Sequence, residues 1–144
     1  VKYAVSFNSA TTALEASVAA VGVKRGDEVI TTPYTMSATA TAILLNGATP
    51  VFADIDPDSF CLDPKSVEKL ITKKTKAIMT VNLFGGSSDF PELLRLAKKY
   101  KLKLLEDNAQ SIGAKYKDKF LGTIGDAGVF SFNFHKTLQC GEGG

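Results

Sequence analysis

With 144 residues, 44% of them hydrophobic and 22% charged, the chain carries enough apolar material for one domain with a core, which excludes a disordered or low-complexity protein. Seventeen Lys and Arg stand against 15 Asp and Glu with the signs interspersed, so the basic stripe that phosphate-backbone binding needs is missing and no nucleic-acid partner is expected. Cys61 and Cys140 lie far apart without CxxC spacing or a histidine cluster, and no apolar run approaches the ~20 residues of a membrane span; zinc, a disulfide framework and a membrane are not expected, and a reducing cytoplasm is.

In chain order the residues alternate between strand-length apolar runs and helix-like stretches. The spacing predicts strands at 3–7, 28–31, 49–53, 77–81, 102–105 and 128–132, with helices at 11–21, 37–45, 64–71 and 90–100. Such alternation implies an α/β fold, a mostly parallel mixed sheet with helices on both faces. The punctuation agrees: Lys24-Arg25-Gly26-Asp27 precedes a strand, Asn46-Gly47 closes a helix, and Asp56-Pro57-Asp58 is a turn. In the 90–100 stretch Leu93, Leu94 and Ala97 share a face and Arg95, Lys98 and Lys99 lie elsewhere, the pattern of a surface helix with solvated lysines. Residues 114–121, centred on Lys117-Asp118-Lys119, read as a hairpin at the sheet margin. No repeat or linker interrupts the series, so 1–144 reads as a single domain.

In open parallel sheets ligands sit outside the carboxyl ends of the strands, so the residues just after each strand are the candidates. After the first comes Asn8-Ser9-Ala10-Thr11-Thr12, a hydroxyl-rich junction that serves either as an ordinary helix N-cap or as a phosphate cradle on free backbone N–H groups. After the fifth comes Glu106-Asp107-Asn108-Ala109-Gln110, where two adjacent carboxylates at the end of a buried strand cannot both face solvent, and the inward one needs a partner. The sixth carries Ser131 and is followed by Lys136, which is a structural cation, a phosphate ligand or, partly desolvated, an imine-forming amine. The lone His135 reads as a turn residue with no catalytic part. An anion site, a carboxylate and a lysine at one sheet edge are together what pyridoxal phosphate requires: a phosphate cradle, a partner for the pyridine nitrogen and an amine for the aldehyde.

Several ordered segments carry a more specific likeness: SATTAL (9–14), GDEVITTPYT (26–35), GATPVFADID (47–56), EDNAQSIGAKYKDKFLGTIGD (106–126) and FSFNFHKTLQCGEGG (130–144). On these the chain resembles the DegT/DnrJ/EryC1/StrS sugar aminotransferases, within fold type I of the pyridoxal-phosphate enzymes. The resemblance implies that Ala10, Thr11 and Ser131 bind the cofactor phosphate, that Asp107 pairs with the pyridine nitrogen, that Gln110 reaches the phenolic-oxygen side, and that Lys136 forms the imine and then shuttles the substrate proton. It also implies a nucleotide-linked keto-sugar as acceptor, an amino-acid donor such as glutamate, and a homodimer whose partner subunit completes each site.

Three departures from the family pattern stand out. Met36 occupies the place of the usual ring-stacking aromatic residue, so either Met36 or Tyr34 covers the cofactor ring. Val81-Asn82-Leu83-Phe84-Gly85 stands where many members read VHLYG, removing an imidazole expected near the substrate. Members also begin several tens of residues before Val1 and continue past the GEGG motif into a smaller domain, so the chain is expected to be a partial PLP-binding large domain, weak in catalysis by itself and with exposed apolar surface. The rival readings are another fold type I enzyme, such as a cysteine desulfurase, and a non-catalytic regulatory homologue, for which Met36 and Asn82 leave room.

Overall fold

The computed structural model describes all 144 residues of the chain. Helix α1 (Ala10–Ala20) starts at Ser9, whose hydroxyl accepts from the Thr12 N–H. Strand β1 (Glu28–Thr31), helix α2 (Ser37–Leu45), β2 (Thr49–Phe52) and α3 (Pro64–Leu70) follow, then β3 (Thr75–Val81). A 3-10 turn over Leu83–Gly85 leads to α4 (Phe90–Tyr100) and β4 (Lys103–Asp107). The starts of α3 and α4 follow elementary capping: Asp63 accepts from Lys65 N and Asp89 from Glu92 N, each with a proline in the first turn, where the missing N–H leaves no bond unmade.

The hairpin β5 (Lys115–Tyr116) and β6 (Lys119–Phe120) forms a separate two-stranded ribbon, and β7 (Ala127–Val129) returns to the main sheet. The five-stranded order is β2-β1-β3-β4-β7, with every pairing parallel. All five carboxyl ends therefore lie along one edge.

Side chains of the central strands alternate between two cores. Val29, Ala77, Met79 and Leu105 join α1 and α2 in one cluster of 12 buried residues, while Ile30, Ile78 and Leu104 join α3 and α4 in another of 11. The near-equal clusters show that both faces are covered. At about 1.5–3 kcal/mol for each large apolar side chain buried, they are the main source of stability.

Two expected strands differ. Residues 3–7 form no strand: Val1, Tyr3 and Val5 are exposed, and only Phe7 pairs, exchanging two backbone bonds with Gly144 (2.9 and 3.0 Å). The alternation is present in the residues, but no neighbouring strand receives it. The strand expected at 128–132 ends at Val129, because Phe132 turns away to bond Gly143 O and Cys140 N (2.9 Å each). Exposed apolar side chains gather, as expected, at 1–5, at Leu44 and Leu45, and at Phe134 and Leu138. No helix is long and apolar enough to cross a membrane.

Candidate functional site

The carboxyl edge of the sheet opens onto a cavity of about 150 Å³. Ala10, Thr11, Met36, Asp107, Gln110, Ser131 and Lys136 all line it, so the seven residues singled out in the sequence meet in one place. A larger groove of about 520 Å³ lies between α3 and α4, but its charged lining is largely spent on itself, as where Glu68 meets Arg95 and Lys99.

The two carboxylates ending β4 part company. Glu106 shares the face of Leu104 and is 1% exposed; its Oε1 accepts from Ile124 N and Gly125 N and its Oε2 from Gly122 N, all at 2.7 Å. It is a fully occupied structural anchor for the 122–125 turn. Asp107 shares the face of Leu105 and turns to the cavity, where Oδ1 accepts from Ala109 N (3.0 Å) and Oδ2 from the Thr39 hydroxyl (2.8 Å). Burial pushes its carboxyl above the ordinary range, against the opposing pull of the Ala109 and Thr39 bonds and the Lys136 charge. Such a carboxylate favours a cationic ligand.

At the neighbouring wall the first amides of α1 are open. Thr12 N is capped by Ser9, whereas the N–H groups of Ala10 and Thr11 have no acceptor in the chain. Gly144 packs against this point so closely that a Cβ there would stand 2.5 Å from Ala10 N. Only glycine leaves the helix terminus accessible, and open amides at a positive dipole end form an anion cradle. Ser131, 7% exposed, lies on the same cavity.

Lys136 sits in a turn built by Asn133. The Asn133 carbonyl accepts from Lys136 N (2.9 Å), its side-chain oxygen from His135 N (3.4 Å), and its Nδ2 donates to Glu142 Oε1 (2.6 Å). His135 is exposed at the cavity lip, its ring edge-on to Phe134.

Met36 lines the cavity, whereas Tyr34 turns outward to Phe60, ring centroids 6.2 Å apart. Asn82, expected near the substrate side, is fully buried outside the cavity lining and donates to Asn108 Oδ1 (2.7 Å). Gln110 is held at the rim, its Oε1 accepting from Phe84 N (3.4 Å). Sequence reasoning missed Thr35, Thr39, Asn133 and Glu142. The signal for the first pair was the i, i+4 hydroxyl spacing at the start of a helix with no charged residue.

A parallel sheet with these helices on its two faces has the architecture of the fold type I aminotransferases. The solved structure of an aminotransferase from Psychrobacter cryohalolentis superimposes with a TM-score of 0.96 at 40% identity, over 99% of this chain and 36% of that one. Within this class the chain belongs to the DegT/DnrJ/EryC1/StrS aminotransferase family, whose model matches residues 1–144. NtdA from Bacillus subtilis, solved with bound cofactor PMP, is similar at a TM-score of 0.92 and 38% identity, over 99% of this chain and 32% of that one. GDP-perosamine synthase of Escherichia coli O157:H7 is 43% identical over 144 residues, 100% of this chain and 40% of that protein. The chain thus spans well under half the length of the curated relatives it matches.

Proposed function

We propose that residues 1–144 form the cofactor-binding domain of a pyridoxal-phosphate aminotransferase that moves an amino group from glutamate to a nucleotide-linked keto-sugar, acting as a cytoplasmic homodimer. The observation that carries the reading is the convergence of a helix terminus with two open amides, a buried carboxylate and a lysine on one cavity. This donor set fits the cofactor: open amides for a phosphate, Asp107 for a protonated ring nitrogen, and an amine for an aldehyde. The relative named for GDP-perosamine synthesis supports the sugar acceptor.

When bound, pyridoxal phosphate supplies the electron sink for cleavage of a bond at an amino-bearing carbon. The Ala10 and Thr11 N–H groups and the Ser131 hydroxyl would hold the phosphate. Asp107 would hold a proton on the ring nitrogen by its charge, Gln110 would serve the phenolic oxygen, and the Met36 thioether would help to exclude water from the ring. The Nζ of Lys136 would be the amine that holds the aldehyde carbon and, when free, the base and acid for the proton exchanged at the substrate carbon.

The test is to give glutamate to full-length protein loaded with pyridoxal phosphate and to follow conversion to the pyridoxamine form, then to offer a panel of nucleotide-linked keto-sugars. Conversion in wild type and none in Lys136→Ala is the expected result. Sulfide release from cysteine would instead point to a desulfurase, and cofactor bound without conversion to a regulatory homologue.

A further inference from the structure

Asp107 is not held by the backbone alone. Its Oδ2 takes the proton of the Thr39 hydroxyl at 2.8 Å, and Thr39 Oγ1 lies 2.9 Å from Thr35 Oγ1. Thr39 is fully buried, while Thr35 is half-buried and lines the cavity. The chain of contacts therefore runs from the floor of the site to its wall.

Counting protons fixes its direction. A hydroxyl has one proton to give, and an ionised carboxylate only accepts. With the Thr39 proton committed to Asp107, the Thr35–Thr39 contact is made by the Thr35 proton. Thr35 then shows the cavity lone pairs only. If Asp107 gains a proton, Oδ2 is the oxygen that takes it, since Oδ1 remains engaged by the Ala109 N–H. Every bond then reverses: Asp107 donates to Thr39, Thr39 donates to Thr35, and the Thr35 proton is released toward the cavity.

We propose that Thr35, Thr39 and Asp107 form a directional hydroxyl relay in which Thr39 positions the Asp107 carboxylate and makes Thr35 a hydrogen-bond acceptor toward the ligand whenever Asp107 is charged. A ligand that sets a cation against Asp107 thus meets an acceptor, and a donor on its adjoining edge is selected. The use of the relay against a cationic ring rests on the function proposed above; the relay itself rests on bonds within the chain.

Few other charges bear on Asp107. Lys136 reaches it from the 130–144 segment, with His135 and Glu142 on the same cavity. The packed helix α2 has no charged residue, and α1 lines the cavity only with Ala10, Thr11 and Leu14. The flanking strands end in Val81 and Val129, and Glu106 faces the other way. Lys136 is the one charge that acts on Asp107 directly, and it is unchanged in the hydroxyl variants.

The test is a carbon-13 NMR titration of the Asp107 carboxyl in cofactor-free, full-length protein. Thr39→Val removes the donor at nearly constant volume and is expected to make Asp107 about tenfold weaker as an acid, the loss of one hydrogen bond to a charged group. Thr39→Ser restores the midpoint, and Thr35→Val shifts it in the same direction by less. Folding of each variant is checked by amide spectra, and Thr39→Ala substitutes for a valine variant that does not fold. An unchanged midpoint in the folded Thr39 variant, or a serine variant that behaves like valine, overturns the relay. Failure of wild type to bind pyridoxal phosphate would overturn the function proposed above while leaving this titration intact.

Discussion

Glu106 and Asp107 are consecutive, both carboxylates and both buried, yet they belong to different parts of the molecule. Glu106 enters the α3/α4 side, where three backbone N–H groups at 2.7 Å saturate it. Asp107 enters the α1/α2 side with two bonds and a cavity in front of it. Burial is tolerated on the first side because the chain supplies its own donors, whereas on the second the chain stops short and leaves charge for a ligand to meet. Residue type does not distinguish structure from site here; the completeness of the bonding does.

The contrast is sharpest in stability. Glu106→Ala strands one buried and two half-buried N–H groups and is expected to cost about 3 kcal/mol, read as a fall in denaturant midpoint. An Asp107→Asn variant should do the opposite in cofactor-free protein. The Asp107 carboxyl is raised above its ordinary 3.8, so its contribution to stability is full below that pH and is lost as pH rises through the folded value. Removing the titration makes the variant the more stable protein at pH 7, with the advantage fading toward pH 4, while pyridoxal phosphate affinity falls on the order of a hundredfold. A variant that loses stability and affinity together would erase the distinction between the two carboxylates.

The next effect is smaller and local. Gly144→Ala places a Cβ 2.5 Å from the backbone at Ser9 and Ala10, which must shift to admit it, so phosphate-dependent binding weakens and the thermal midpoint falls with it. Competition by inorganic phosphate measures it. At the small end, Lys103→Ala breaks an exposed 2.7 Å pair with Asp126 and costs about 0.5 kcal/mol or less at physiological salt.

Much of this was legible in the residues. Parallel order follows from strand and helix alternation, and the rule that ligands sit at carboxyl strand ends selects Asp107 and Lys136 without knowledge of any contact. Residues 3–7 mislead because period-two alternation states what a segment could pair with, not whether a partner strand stands beside it. The role of Thr39 was not legible because its partner is 68 residues away. Asn133 was missed for a related reason: its two acceptors and one donor become visible only when the 130–144 segment closes on Glu142.

The central claim is that the ligand side of this sheet binds pyridoxal phosphate through Lys136. Full-length protein mixed with pyridoxal phosphate, reduced with borohydride and digested should carry the cofactor mass on one peptide, at Lys136, and Lys136→Ala should carry none. Label on another lysine, or none in wild type, would contradict it.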